Sequence, residues 1–230
     1  MEHLFNPMKP HFRAWLWMHD GFPWNFFSSK FDTCPSPPPP DLTSLYCAAS
    51  YGFSSLAKRL IIAHAEDVNA KCCGSTTPLH VASLRGYVDV ARVLLDHGAD
   101  INARRDVDIT PLHSASVNGH RKVVQFLLDH GATVDARDDF NSTPLFYASS
   151  DGHPEVARLL LDHGADPNIR NIVGTPFEIA TRKGHHDVAR LLQDHGAQIY
   201  FKQYRTNDTG RKRSAYAIDE PALPAQWPGR

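Results

Sequence analysis

The chain has 230 residues, and its 24 Lys and Arg residues nearly balance its 25 Asp and Glu residues. Its length allows one domain or two small ones, and a hydrophobic content of 42% is enough for a packed core. The formal net charge of −1 disfavours a dedicated nucleic-acid binder, which needs surplus cations. No apolar run approaches the roughly 20 residues that span a bilayer, so we expect no membrane span.

Residues 1–40 form an extension rich in aromatic residues and proline. The stretch from Phe12 to Met18 lacks the basic leader and the cleavage site of a secretory signal. The aromatic residues are Phe5, Phe12, Trp15, Trp17, Phe22, Trp24, Phe26, Phe27 and Phe31. A segment this apolar is expected either to pack on the first repeat that follows it or to dock on a partner.

The cysteines form no C-x-x-C pair and have no zinc-ligand spacing. They are Cys34, Cys47, Cys72 and Cys73. Without a secretory signal they indicate reduced thiols, and therefore a cytoplasmic or nuclear protein. Cys72 and Cys73 are adjacent in a predicted loop, where we expect them to be exposed; a redox role is a side hypothesis.

From residue 41 onwards the sequence repeats with a period of about 33 residues, which indicates a repeat architecture. A Thr-Pro step marks each unit at Pro78, Pro111, Pro144 and Pro176. One series of glycines keeps the same spacing at Gly86, Gly119, Gly152 and Gly184. A second series does so at Gly98, Gly131, Gly164 and Gly196.

The unit that starts at Thr77 predicts a helical hairpin. Thr77 is a good N-cap and Pro78 suits the first helical position, so a short helix begins there and ends near Gly86. A second helix is predicted from Val88 to His97, closed by Gly98 in the left-handed conformation. Its apolar stripe consists of Val90, Ala91, Leu94 and Leu95. Such a hairpin cannot bury its apolar face alone.

The connectors between units are polar and predict β-hairpin-like fingers. One position recurs in each connector. In three of the four connectors the residue at this position is of a type that tolerates a left-handed turn conformation. The residues there are Ser75, Asp108, Asn141 and Gly174.

The motif Thr-Pro-Leu-His at 77–80 and 110–113, the Gly-His steps and the His-Gly-Ala endings resemble ankyrin repeats. The resemblance implies an all-α repeat solenoid, a stack of helix-turn-helix units with projecting fingers, whose usual work is binding other proteins. It covers residues 41–199: a cap repeat at about 41–70 and four repeats at about 71–103, 104–136, 137–169 and 170–199. Residues 200–230 are expected to be a disordered tail.

The N-terminal segment also resembles the region that precedes ankyrin arrays in fungal NACHT-ankyrin proteins. The residues concerned are Glu2-His3-Leu4-Phe5 and the stretch up to Trp15-Leu16-Trp17. This resemblance implies that the chain is the C-terminal part of a receptor-like protein without its ATPase.

Nine of the 14 histidines recur with the repeat, so their columns are predicted to be structural. Equivalent residues in adjacent repeats lie roughly 10 Å apart, which is too far to share one metal ion. His80 and His113 are expected to hydrogen-bond the preceding Thr hydroxyl or nearby backbone. No P-loop, G-x-S-x-G or H-E-x-x-H motif occurs, so we predict a non-enzyme without catalytic residues, cofactor or metal.

Residues that differ between units on the expected concave surface are the candidate contacts. On the fingers they are Asp106, Val107, Asp139, Phe140, Ile172 and Val173. At the ends of the first helices they are Val117, Asn118, Ser150, Asp151, Arg182 and Lys183. Phe140 is the strongest single candidate, because an aromatic fingertip can anchor an interface.

A row of cations at the finger bases completes the candidate set: Lys71, Arg104, Arg137 and Arg170. The row predicts a protein partner with an acidic stretch and no small-molecule substrate. The alternative is that these cations pair locally with Asp106 or Asp138. A second candidate function is a nucleic-acid or chromatin-associated protein that uses this row and the basic tail at Arg211-Lys212-Arg213.

Overall fold

A computed structural model describes residues 43–65, 67–198, 202–206 and 212–216 of the chain. Residues 43–198 form five consecutive helical hairpins, here called units 1 to 5. Their helices are α1 Ser44–Ser50, α2 Ser54–His64, α3 Pro78–Arg85, α4 Val88–Asp96, α5 Pro111–Val117, α6 Arg121–Asp129, α7 Pro144–Asp151, α8 Pro154–Asp162, α9 Pro176–Lys183 and α10 His186–Asp194. The aromatic extension at residues 1–40 lies outside the described residues.

Two strands follow the helices in the tail for which the sequence predicts disorder. Strand β1 Lys202–Thr206 pairs antiparallel with β2 Lys212–Tyr216, and Tyr204 is opposite Ser214. The rest of residues 199–230 lies outside the described residues.

The units stack so that their helices form two layers. The first helices (α1, α3, α5, α7, α9) lie side by side in one row and the second helices in another. One continuous core runs between the rows. Its fully buried leucines are Leu45, Leu60, Leu79, Leu94, Leu112, Leu127, Leu145, Leu160 and Leu192. The observed architecture is therefore the all-α solenoid that the sequence predicts.

Each first helix after α1 begins at the predicted Thr-Pro step. Thr110, for example, is the N-cap of α5, its side chain accepts a hydrogen bond from the backbone N–H of His113, and Pro111 occupies the first turn. The helices α7 and α9 begin in the same way, and α3 begins with Thr77 at the N-cap and Pro78 in the first turn. Gly86 closes α3 with a φ of 81°, as predicted for a left-handed residue after a helix.

A first histidine column joins unit 2 to unit 3 and unit 3 to unit 4. His80 Nδ1 lies 2.8 Å from Thr77 Oγ1 and accepts from the Thr77 N–H, while Nε2 lies 2.9 Å from the Ile109 carbonyl of the following unit. His113 makes the same contacts with Thr110 and with the Ser142 carbonyl. These bonds require a neutral ring with the proton on Nε2. The predicted bond between histidine and threonine is confirmed.

A second histidine column joins units 3, 4 and 5 each to the unit before it. His120 Nε2 lies 2.8 Å from the Leu84 carbonyl, and His153 Nε2 lies 3.1 Å from that of Val117. Each ring covers the glycine that ends the preceding first helix. A Cβ built on Gly119 would lie 2.6 Å from His153 Nδ1. The Gly-His steps therefore interlock between neighbouring units.

A third histidine column closes the second helices. The Nδ1 atom of His130 lies 2.7 Å from the Phe126 carbonyl one turn earlier in α6. His97, His163 and His195 make the equivalent contact. The nine periodic histidines therefore all make hydrogen bonds within the array, which is the structural role that the sequence predicts.

We expect Gly119→Ala to lower the free energy of unfolding more than Gly131→Ala does. Both glycines have positive φ, 70° and 88°, so each alanine carries the left-handed penalty of about 1 kcal/mol. A Cβ on Gly131 meets nothing within 4 Å, whereas one on Gly119 collides with His153. Urea unfolding should give an additional loss of about 1–3 kcal/mol for Gly119→Ala. Equal losses would contradict the interlocking of glycine and histidine.

Acid should destabilise the array through the first histidine column. Burial lowers the pKa of His80 and of His113 from 6.5 to about 4. The unfolded chain therefore binds more protons than the folded chain between these values, and the free energy of unfolding falls as the pH falls through this window.

The variant His113→Phe, which places in α5 the residue type that Phe146 supplies in α7, tests this pH dependence. It should be less stable at neutral pH, because the Ser142 carbonyl loses its donor. It should also lose less stability on acidification, which urea titrations at a series of pH values will show. An unchanged pH dependence would contradict the assignment.

Candidate functional site

The predicted contact residues all lie at least partly at the surface. The exposed ones are Lys71, Arg104, Asp106, Arg137, Asp139, Phe140, Ile172, Val173, Arg182 and Lys183. The half-buried ones are Val107, Val117, Asn118, Ser150, Asp151 and Arg170. We call the connectors at 71–76, 104–109, 137–142 and 170–174 fingers 1 to 4. Most of the candidates belong to these fingers.

Finger 3 is held behind its tip by a buried carboxylate. Asp138 Oδ1 accepts from the backbone N–H of Phe140 at 2.9 Å and of Ser142 at 2.7 Å. Its Oδ2 accepts from the Tyr147 hydroxyl of α7 at 2.7 Å. The ring of Phe140 remains 43% exposed at the tip. Phe140 is therefore presented by a fixed loop.

Finger 4 has the same arrangement with an amide in place of the carboxylate. Asn171 Oδ1 accepts from the N–H groups of Val173 and Gly174, and its Nδ2 donates to Ser142 Oγ of finger 3 at 3.0 Å. At the tip Ile172 is 77% exposed and Val173 47%. Two large apolar side chains thus face solvent beside Phe140.

Backbone hydrogen bonds connect the tips of neighbouring fingers. The Asp139 N–H donates to the Val107 carbonyl at 3.2 Å, and the Ile172 N–H donates to the Phe140 carbonyl at 3.4 Å. Within finger 2, Val107 has a φ of 56°, a left-handed conformation that is rare for a β-branched residue. The bonds between tips make fingers 2 to 4 one connected edge.

The predicted left-handed position is confirmed in the first three fingers. Ser75, Asp108 and Asn141 have φ values of 55°, 57° and 62°. Gly174, at the same position in finger 4, has a φ of 147°, which is positive but outside the left-handed helical region.

The arginines at the finger bases pair locally, with acceptors other than those expected. Arg104 Nη1 lies 2.5 Å from Asp108 Oδ2, and Arg170 Nη1 lies 3.3 Å from Glu178 Oε1. Arg137 donates to Asn141 Oδ1 at 3.1 Å. The prediction of Asp106 or Asp138 as the acceptor is wrong. Asp138 is engaged by its own finger, and the fold brings Asp108, Asn141 and Glu178 within reach of the three guanidinium groups instead.

The ends of the first helices form a small polar network. Lys183 Nζ of α9 donates to Ser150 Oγ at 2.7 Å and lies 3.3 Å from Asp151 Oδ1 at the end of α7. Asn118 donates to the Ser114 carbonyl of its own helix. These candidates are therefore engaged with each other or with their own helix.

Three residues that stabilise the fingers do not appear among the sequence candidates: Arg105, Asp138 and Tyr147. Burial and the bond to Asp138 raise the pKa of Tyr147 well above its usual value. Burial lowers the pKa of Arg105, on which the charges of Tyr46 and Tyr147 also act. Arg105 occupies the position of Asp138 and Asn171 in the other fingers. This departure from the repeat is visible in the sequence and marks Arg105 as different from its equivalents.

The side chain of Cys72 is buried, so its predicted exposure is wrong; its N–H pairs with the Thr76 carbonyl inside finger 1. Among the described residues, no group of three His, Cys, Asp or Glu side chains is placed to hold a metal ion. No helix in the described part of the chain is long and apolar enough to cross a membrane.

Comparison with protein families identifies the class of the chain. The family model described as ankyrin repeats (3 copies) matches residues 28–105, 104–171 and 139–203. The matches cover more than half of the chain, which therefore belongs to the ankyrin repeat family. Ankyrin repeats generally mediate protein–protein interaction and are typically not catalytic. A search of curated proteins gives no match.

Asp138→Ala should lower the free energy of unfolding by about 1.5–3 kcal/mol, because a buried carboxylate that accepts three hydrogen bonds is lost. Asp139→Ala is the matched control: the side chain is exposed, so its loss should stay within about 0.5 kcal/mol. Urea unfolding measures both, and hydrogen exchange should show faster opening at the Phe140 and Ser142 amides only in Asp138→Ala. Similar results for the two variants would contradict the role of Asp138.

Proposed function

We propose that the chain is a non-catalytic protein-interaction module, an adaptor or the recognition part of a receptor-like protein, that binds a partner protein on its finger and first-helix surface. The observation that carries this proposal is the set of exposed apolar side chains on connected fingertips: Phe140, Ile172 and Val173. Such a patch on an otherwise polar edge is typical of an interaction site.

The fingertips suit recognition because they are held before binding. Full burial of one large apolar side chain contributes about 1.5–3 kcal/mol. Less of this free energy is offset by lost conformational entropy when the loop is already ordered before binding. The bonds from Asp138, Asn171 and the neighbouring tips order these loops. Phe140 is the expected anchor, since aromatic residues dominate interface energetics.

The charges on the surface bear on the partner. The arginines of the row already bond to Asp108, Asn141 and Glu178. An acidic stretch of a partner would have to compete with these bonds, which weakens the expectation of an acidic partner. The same pairing, with the net charge of −1, weakens the case for nucleic acid.

The histidines support the non-catalytic part of the proposal. General acid–base catalysis needs a group that changes protonation near neutral pH and reaches a substrate. His80 and His113 are buried, use both ring nitrogens within the array, and have a pKa of about 4.

The proposal predicts that partner binding depends on the fingertips. Proximity labelling with the full chain as bait will nominate partners, and titration of a purified partner will then compare wild type with Phe140→Ala and Ile172→Asp. Each variant should weaken binding about ten-fold or more, since the loss of about 1.4 kcal/mol corresponds to a factor of ten. Both side chains are exposed, so the far-UV circular dichroism should not change.

Arg190→Glu on α10 is the control, because Arg190 is exposed on a second helix, which is not part of the finger and first-helix surface. It should bind as the wild type does. If Phe140→Ala and Ile172→Asp also bound as the wild type does, the mapped surface would be wrong. If instead the chain retarded arbitrary DNA in a salt-sensitive manner, the nucleic-acid alternative would take its place.

A further inference from the structure

Corresponding tip positions in fingers 2 to 4 form two columns. The first position is occupied by Asp106, Asp139 and Ile172. The second is occupied by Val107, Phe140 and Val173. We call the second set the apolar column and Asp106 and Asp139 the tip acids. The bonds from Asp139 to Val107 and from Ile172 to Phe140 keep the two columns side by side.

The tip acids are the charges that lie beside the apolar column at the tips of fingers 2 to 4. Both are exposed, and neither has an ion pair with another described residue. The charge of Asp106 acts on the neighbouring Arg105, but less strongly than those of Tyr46 and Tyr147 do. The Asp106 carboxylate lies over Gly74 of finger 1, since a Cβ there would be 2.9 Å from Oδ2.

The cations behind the tips are engaged in a different way. The guanidinium of Arg104 contacts Asp108, and that of Arg170 contacts Glu178. Arg137 bonds to the Asn141 side chain. The three arginines therefore lie at the finger bases with acceptors, Lys71 lies exposed at the base of finger 1, and acids without ion pairs lie at the tips beside apolar side chains.

We propose that this edge selects a partner segment that combines Lys or Arg with aromatic or aliphatic residues, rather than an acidic segment. This inference rests on the proposed function and specifies its partner. A basic side chain of the segment would pair with a tip acid while its apolar neighbours cover Phe140 and Val173. The charge complementarity is the reverse of what the arginine row predicts from sequence alone.

The repeat spacing also sets the spacing of the partner motif. Neighbouring fingers are separated by roughly the 10 Å of packed helices. An extended segment that crosses the fingers advances about 3.3 Å per residue. Its contacts with successive fingers therefore recur about every third residue.

A phage-displayed random peptide library selected on the full chain tests the inference. We expect enriched peptides to carry Lys or Arg together with apolar residues about three positions apart. In fluorescence anisotropy, the double variant Asp106→Asn, Asp139→Asn should weaken an enriched peptide about three- to ten-fold and flatten its salt dependence. The control Asp96→Asn, Asp194→Asn removes the same charge from exposed sites at the ends of second helices and should leave the affinity unchanged.

The outcomes separate this inference from the proposed function. Enrichment of acidic peptides, or equal weakening by the two double variants, would overturn the inference. If Phe140→Ala and Ile172→Asp weakened the peptides but the tip-acid variant did not, the proposed function would stand and the inference would fail. If Phe140→Ala and Ile172→Asp left every selected peptide unaffected, the proposed function itself would fail.

Discussion

A helical hairpin of the array cannot by itself pair all of its backbone polar groups or bury its apolar face. Its neighbours do both, and the rest of the structure depends on this constraint. The solution is a set of histidine rings that bond a carbonyl in the next or the preceding unit: His80 reaches Ile109 and His120 reaches Leu84. Because a buried carbonyl without a donor costs free energy, each unit is stable only beside the next one. Stacking thus depends on hydrogen bonding as well as on the leucine core.

The same reliance on neighbours shapes the interaction surface. A finger is too short to have a core of its own, so a side chain at its second position supplies acceptors for the backbone of the tip. Asp138 does this in finger 3 and Asn171 in finger 4. With the acceptors inside the loop, the apolar side chains at the tips remain at the surface.

The sequence predicts the features that depend on short-range rules. A threonine before proline, a glycine after a helix and a histidine three residues after its N-cap each determine a local geometry, so the caps, the left-handed positions and the bond from His80 to Thr77 follow without a structure. The bond from Tyr147 to Asp138 does not follow, because it joins the finger to a helix residue nine positions later. The acceptor of Arg104 depends on finger geometry in the same way, and the burial of Cys72 depends on its pairing with Thr76.

In fingers 3 and 4, different residues hold the backbone and present side chains to solvent. Asp138 and Asn171 determine the path of the backbone, whereas the two residues that follow each of them make no side-chain hydrogen bond within the described chain and reach solvent. The tip residues are therefore free to change in evolution or in the laboratory without a new solution to the folding of the finger. An array of this kind can acquire a different partner by exchanging the two tip residues of one finger at a time. Its stability is maintained meanwhile by the stacked units.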